Sequence, residues 1–500
     1  MRSATAMRAA LAALSLALLA PGAFGATVGA LPTAKNVANV FGLDDVCAPQ
    51  LGTSYPDFVF CAGSGSGAWP YIVFGGSYNQ LAWADWQNSV KHYIVQVDDY
   101  SMWTGVWVAG RGDLNGDDNN DVLIGDPRHL NFPNNGEDWA NNIGICYALY
   151  NVGEPASVGE STLDLDDPGT MATVARITAD QVQSRFGCCS EIIGDVDDDG
   201  YADILVGESG WGPTSGSAQR ERYECGRACL FFGSANFSDT GTTSASVVLL
   251  TGEDRNDHFG AAVSSAGFLD DSPMAMDRYG DFAIGAPWYD KSSGQTVTEN
   301  AGRVYVFYGT DAAISSTHAT DANVIITGET TDSFFGSAIS CGDFDGDNYD
   351  DLVVGACGYD NQTGRAYVFF SSSLRADADG YVDAADADVK IDGSADGNLF
   401  GNAVSTAGTF FGQLVATDAV IVGAPGVEDT KGAFYVFDMR SASSSMSASD
   451  ADYISTGSTV GMRVGLSVTD LADVDGDMDS DVAVLASGVS NGTLAIHDKN

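Results

Sequence analysis

The chain has 500 residues, with 68 Asp and Glu against 22 Lys and Arg, and a net charge of −46 at pH 7. No basic stripe exists to meet phosphates, which excludes a nucleic-acid partner. After residue 25, no run approaches the ~18 continuous apolar residues that a membrane-spanning helix needs.

Residues 1–25 read as a secretory signal: Arg2 and Arg8 precede an apolar run from Ala9 to Ala20, and Ala23-Phe24-Gly25 offers small residues for cleavage. Seven Asp-plus-apolar runs follow, opening at Asp57, Asp121, Asp203, Asp281, Asp351, Asp418 and Asp481, with spacings of 64, 82, 78, 70, 67 and 63 residues. Each reads as a short buried strand. An aromatic-Gly pair precedes most of them: Phe41-Gly42, Phe186-Gly187, Phe259-Gly260, Phe335-Gly336 and Phe400-Gly401, with Thr104-Gly105 and Val464-Gly465 as weaker equivalents. A third apolar run with Tyr and Phe comes after, as in Val304 to Tyr308, and a fourth often closes the unit, as in Val324 to Ile326.

Four short strands per unit and turns rich in Gly, Ser and Asp predict an all-β chain: a seven-bladed β-propeller of four-stranded antiparallel blades. The expected organisation is a signal peptide at 1–25 and one propeller over 26–500, with repeats near 41–100, 101–180, 181–252, 253–328, 329–393, 394–457 and 458–500. Repeat seven has no fourth strand before Asn500. Thr27 to Val40 is expected to supply it, so that an N-terminal strand closes blade seven.

Asp outnumbers Glu about five to one, a bias toward turns and metal loops rather than helices. The clearest loop holds Asp343, Asp345, Asp347, Tyr349 and Asp351 at alternate places. Anions this close repel unless a cation sits among them, and oxygen ligands on a flexible loop suit Ca²⁺. The same plan returns as Asp113, Asn115, Asp117, Asn119 and Asp121; as Asp195, Asp197, Asp199, Tyr201 and Asp203; and as Asp473, Asp475, Asp477, Asp479 and Asp481. Tyr201 and Tyr349 would give backbone carbonyls. About four structural Ca²⁺ ions are therefore expected, and the remaining acidity reads as a solvated surface suited to a salty medium. Repeats four (Pro273, Ala275, Asp277, Tyr279, Asp281) and six (Phe410, Gly412, Leu414, Ala416, Asp418) cannot cage the ion in this register, and repeat one cannot either.

Nine cysteines in an exported chain predict disulfides. Cys47–Cys61 and Cys341–Cys357 are the expected bridges, while at most one of Cys188 and Cys189 should reach Cys225 or Cys229. Asn236, Asn361 and Asn491 open glycosylation sequons. Arg111-Gly112-Asp113 reads as a coincidence, because Asp113 is already the first ligand of its loop.

Aromatic-Gly, then Asp-x-Asp-x-Asp-x-x-x-Asp, then Gly-Ala-Pro resembles the FG-GAP repeat of integrin α-subunit N-terminal propellers. Phe259-Gly260 with Gly285-Ala286-Pro287, and Phe400-Gly401 with Gly423-Ala424-Pro425, keep both halves of that pattern. The resemblance covers about residues 41–500 and implies a seven-bladed ring, Ca²⁺ in blade loops and extracellular adhesion. The metal loops fall in repeats two, three, five and seven, whereas integrin α chains place theirs in consecutive later blades. The reading is a secreted, monomeric, non-catalytic module, free or cell-surface associated, that recognises a protein or glycan. Trp139, Trp211 and Trp288 stand in long inserts, where they either meet a partner or pack the loops onto the ring. The alternative is a secreted carbohydrate-active lyase or hydrolase with its site in the propeller channel.

Overall fold

A computed structural model describes residues 36–43, 57–63, 68–73, 91–96, 107–110, 112–127, 143–150, 152, 159–165, 172–213, 224–270, 279–310, 314–376, 379–412, 417–470, 480–487 and 492–497. The expected signal at 1–25 lies outside them.

The chain is all-β, and its sheets are consistent with a β-propeller. Sheet one holds Asn36–Leu43, Asp57–Gly63, Ala68–Val73 and Lys91–Gln96; sheet two holds Trp107–Ala109, Val122–Asp126, Ile145–Tyr150 and Thr173–Thr178. Sheet three holds Phe186–Ile192, Ile204–Glu208, Arg227–Phe231 and Val248–Thr251, and sheet four Ala262–Gly267, Asp281–Ala286, Arg303–Phe307 and Val324–Thr327. Sheet five is Ala338–Gly342, Asp351–Ala356, Arg365–Phe369 and Val389–Asp392; sheet six is Ala403–Thr406, Val420–Ala424, Ala433–Phe437 and Tyr453–Thr456. Sheet seven has three described strands, Ser467–Asp470, Val482–Ser487 and Gly492–His497. Within each of these sets neighbours run antiparallel. The second strands of sheets two to six are buried along their whole length, as Asp351–Ala356 is, because each sheet is covered by its neighbours.

The repeated sequence pairs explain how the sheets meet. Phe335 is fully buried against Tyr367 of its own sheet, with ring centroids 5.2 Å apart, while its backbone bridges to Gly302 of sheet four. Phe259 bridges to Gly226 and Phe400 to Gly364 in the same way. Gly302 has φ +79°, and a Cβ there would lie 2.1 Å from the Phe335 carbonyl oxygen, so only glycine fits. Gly285, of the Gly-Ala-Pro triplet, likewise faces the Gly336 carbonyl, 2.1 Å from where a Cβ would stand. The aromatic-Gly pair of one repeat thus interlocks with the Gly-Ala-Pro of the repeat before.

An arrangement absent from the sequence reading covers the outer edges. Sheets one to five each gain a fifth, parallel strand from further along the chain: Gly159–Asp164, Thr240–Gly241, Thr317–His318, Tyr381–Asp383 and Ser445–Ser447. Each pairs with the fourth strand and so shields an edge that would otherwise expose N–H and C=O groups.

Two expectations are corrected. Asn36–Val40, expected in the strand closing blade seven, instead belongs to sheet one, where Asn36–Leu43 pairs with Asp57–Gly63 from Asn36↔Gly63 to Leu43↔Asp57. The first strand runs through Phe41-Gly42, with Phe41 opposite Val59, so those residues are already paired; residues 27–35 lie outside the described set. The seven cysteines whose side chains are described, which leave out Cys61, are unbridged. Cys341 faces Leu352 while Gly355 faces Ala338, which places Cys357 about 16 Å along the sheet from Cys341 at ~3.3 Å per residue, beyond disulfide reach. Cys188 and Cys189 hold their Sγ atoms 4.0 Å apart, and neither reaches Cys225 or Cys229. Cys47 lies outside the described residues.

Candidate metal centres and the face they support

Two of the Asp-rich loops gather carboxylates. Asp195, Asp197 and Asp203 place one oxygen each within 4.8 Å of one another, and so do Asp343, Asp345 and Asp351. Local hydrogen bonds wind each loop into this shape. Asp343 Oδ1 accepts the Gly346 N–H at 2.7 Å and Oδ2 accepts that of Asn348 at 3.0 Å, while Asp345 Oδ1 accepts that of Asp347 at 3.0 Å. Asp195 does the same with Asp199 at 3.1 Å and Gly200 at 2.7 Å. The fifth-place Asp199 and Asp347 stand outside the two triads and accept the N–H of Tyr201 and Tyr349 at 3.0 and 2.9 Å. The Tyr349 ring lies under the Arg375 guanidinium at 3.8 Å. Tyr201 packs on the loop of repeat two beside Gly116.

The ninth-place Asp is a structural tie as well as a ligand candidate. Asp351 Oδ2 accepts the N–H of Phe344 at 2.9 Å, and Oδ1 accepts that of Ser371 at 2.8 Å, beyond the third strand. Asp203 does this with Val196 and Gly233, both at 2.9 Å. Burial pushes the Asp203 carboxyl up to about 8 and that of Asp351 up to about 7, with backbone hydrogen bonds offsetting part of the rise. Desolvation and neighbouring anions raise Asp197 and Asp345 too. A divalent cation would reverse this, since an opposite charge favours the ionised form.

The donor set fits such an ion. Asp197 Oδ1 is buried with no hydrogen-bond partner, as is Asn119 Oδ1 in the loop of repeat two. Orphaned buried oxygens call for an unseen donor or cation. In that loop Asp113 accepts four backbone N–H groups (Asn115, Gly116, Asp117 and Asp118), Asp117 accepts that of Asn119, and Asp121 accepts that of Leu114. Its carboxylates form no triad of the kind above; the amides of Asn115 and Asn119 occupy the intervening places. Asp473, Asp475, Asp477 and Asp479 lie outside the described residues, and Asp481 is buried at the start of its strand.

Repeats four and six lack the acidic set. Asp281 keeps the structural tie, accepting from Leu269 at 2.7 Å and Gly309 at 3.0 Å. In repeat six the first-ligand place is taken by Phe410, fully buried against Phe411 and Tyr453. Apolar packing fixes that turn.

The loops also join neighbours. The carbonyl of the first ligand accepts an N–H from the next repeat: Asp113 from Ala202 at 2.8 Å, Asp195 from Gly280 at 2.6 Å and Asp343 from Asp418 at 2.8 Å. At the opposite ends of the strands, charged networks cross between sheets. Arg303 pairs with Glu253 at 2.7 Å and lies 3.6 Å from the Tyr289 ring; Arg365 pairs with Glu329 at 3.0 Å and lies 3.9 Å from that of Tyr359. Arg227 meets Glu208, Asp180 and the Trp211 ring. The sequence reading missed these residues, although Gly-Arg at 226–227, 302–303 and 364–365 and Thr-Gly-Glu at 251–253 and 327–329 were visible signals.

Trp211 therefore packs its loop, while Trp288 is 40% exposed between His258 and Phe334. Trp139 lies outside the described residues. Asn236 and Asn361 are exposed, and Asn491 lies outside the described set. First strands of the sheets line a cavity of about 540 Å³ bearing the hydroxyls of Ser264, Ser265, Ser340, Ser405, Ser467 and Thr469. Among the described residues no helix is long and apolar enough to cross a membrane.

The FG-GAP repeat family model matches residues 335–369. The chain is 28% identical to integrin alpha-PS2 of Drosophila melanogaster over 55% of its own length and 16% of that protein. It is 34% identical to human integrin alpha-IIb over 37% of its length and 16% of that protein. To the phosphatidylinositol-glycan-specific phospholipase D of Rattus norvegicus it is 30% identical over 41% of its length and 23% of that protein. The matched part spans less than a quarter of each relative.

Proposed function

We propose that this chain, an FG-GAP repeat protein resembling the integrin α-subunits, is an exported, non-catalytic adhesion or recognition module. It is built on a closed seven-bladed propeller whose blades Ca²⁺ staples together. The observation that carries the reading is the pair of carboxylate triads at Asp195, Asp197, Asp203 and at Asp343, Asp345, Asp351. The first ligand of each also holds the neighbouring repeat through its carbonyl. A cation there fixes a loop and, through it, the seam between two blades. Asp113, Asn115, Asp117, Asn119 and Asp121 would serve a third ion, and the 473–481 loop a fourth.

The bound metal is structural in this reading, and recognition belongs to the loops around Trp288, where an exposed aromatic ring can meet a protein or glycan. Extracellular Ca²⁺ modules bind at roughly 10⁻⁴ to 10⁻³ M, which suits loops without a closing Glu. Thermal unfolding against free Ca²⁺ tests the proposal, because ions bound only by the folded state must raise its melting temperature. A rise that saturates near ~1 mM and shrinks in Asp197→Ala and Asp345→Ala is expected. A melting temperature indifferent to Ca²⁺ would sink it.

A further inference from the structure

We propose that Cys188 and Cys189 are a redox couple: on reaction with a small-molecule disulfide they close into a vicinal disulfide at the seam between sheets three and four. Neighbouring side chains of a regular strand leave on opposite faces. The strand Phe186–Ile192 departs from that rule. Phe186 faces Glu208 and Ser190 faces Val206, so Gly187, Cys188 and Cys189 together stand opposite Gly207 alone. The extra residues coil the backbone: Gly187 has φ +80°, and the Cys188 N–H donates to the Arg185 carbonyl at 3.0 Å. Both thiols consequently turn to one side, with their Sγ atoms 4.0 Å apart, and converge on one acceptor. The Gly260 carbonyl lies 3.5 Å from Cys188 Sγ and 3.1 Å from Cys189 Sγ.

The turn belongs to the fold, and the thiols belong to this repeat. The Ala261 N–H donates to the His258 carbonyl, that of Ser337 to Phe334 and that of Asn402 to Leu399 in the same way, at 3.0, 3.1 and 3.1 Å. Those repeats carry Ala261-Ala262, Ser337-Ala338 and Asn402-Ala403 where repeat three carries its cysteines. Room for the second sulfur comes from Gly207, where a Cβ would lie 2.4 Å from Cys189 Sγ. Among the described residues, the two acidic triads alone bring three potential ligand atoms within 4.8 Å of one another. The thiol pair is therefore no tetrahedral metal site, and its proximity serves sulfur chemistry.

Cys188 is half-buried and Cys189 fully buried, which sets the order of attack. Hydrogen bonding with Cys189 and with the Ser209 hydroxyl, 3.4 Å away, pulls the Cys188 thiol down to about 6, whereas burial pushes that of Cys189 up. The Cys188 thiolate attacks one sulfur of the oxidant, breaking its S–S bond and expelling one thiolate. Cys189 then gives up its proton and attacks Cys188 Sγ, expelling the second. The protein loses two electrons and two protons, and the oxidant leaves as two thiols. Closure brings the Sγ atoms from 4.0 Å to about 2.05 Å. Adjacent Cα atoms stand about 3.8 Å apart, closer than the usual disulfide span of about 4.4–6.8 Å, so the ring is strained and reopens readily. It also takes both S–H groups from the Gly260 carbonyl, which makes the oxidised seam the weaker one.

Disulfide mapping of the folded chain tests this. The protein is incubated with oxidised glutathione or with dithiothreitol, quenched in acid, and alkylated with N-ethylmaleimide on unfolding. Trypsin cuts after Arg185 and Arg220, and the peptide 186–220 holds Cys188 and Cys189 as its only cysteines. After oxidised glutathione that peptide is expected unalkylated and two hydrogens lighter; after dithiothreitol, alkylated at both thiols. Cys189→Ser is expected to stop at the mixed disulfide on Cys188, and Cys188→Ser to stay unmodified, because Cys189 is buried. Should either variant fail to fold, the parent peptide alone decides. A parent peptide still alkylated at both positions after oxidation, or joined to Cys146, Cys225 or Cys229, would overturn the proposal. So would a mixed disulfide that persists on the parent chain.

Discussion

At Gly302 the backbone sits at φ +79° with the Phe335 carbonyl where a Cβ would go. Gly302→Ala therefore has to strain the turn and push sheet five from sheet four. A loss of about 1–3 kcal/mol, or more, is expected, read as a fall in the urea midpoint at unchanged slope. Asp257 gives a pH signature. It is 2% exposed, accepts the Asp254 N–H at 2.9 Å, and burial, with Asp254, Glu253 and Asp290 nearby, pushes its carboxyl up to about 7. A raised folded-state value means the folded chain holds a proton that the unfolded chain releases near its ordinary 3.8. The stability it contributes is therefore full below about pH 4 and lost as pH rises through 7. Asp257→Asn should be more stable than the parent at pH 8, with the gain shrinking toward pH 4; equal midpoints at pH 8 would count against it.

Single elements show where sequence patterns stop. The second strands were legible because burial on both faces leaves an unbroken apolar run, as in Asp351-Leu-Val-Val. The covering strands were not: Thr317–His318 and Ser445–Ser447 are too short and polar to carry a period, and tertiary pairing alone makes them strands. The inter-sheet ion pairs were equally hidden, since Glu253 and Arg303 meet only because consecutive sheets pack face to face. Arg365→Leu should cost about 2 kcal/mol by leaving Glu329 and Asp392 without their guanidinium partner. A double-mutant cycle with Glu329→Gln should return a coupling well above the scatter of additive pairs.

For the molecule as a whole, a net charge of −46 sets the compact state against itself. In chelator, raising NaCl should raise the melting temperature by screening. Ca²⁺ at matched ionic strength should add a further rise that Asp197→Ala reduces. If NaCl reproduces the whole Ca²⁺ effect, the triads bind no ion.

The sequence by itself determined the repeats, the strand-opening Asp residues and the acidic loops, because each is a local pattern of two to nine residues. It read Asp343, Asp345 and Asp351 correctly as neighbours, since an Asx-rich turn closes on its own backbone. Tertiary structure alone decided that the ninth-place Asp ties a distant strand end. It also left Cys341 and Cys357 unbridged and placed Asn36–Val40 in the first sheet. Those outcomes depend on register and on the neighbouring sheet, and a single chain's local spacing carries neither.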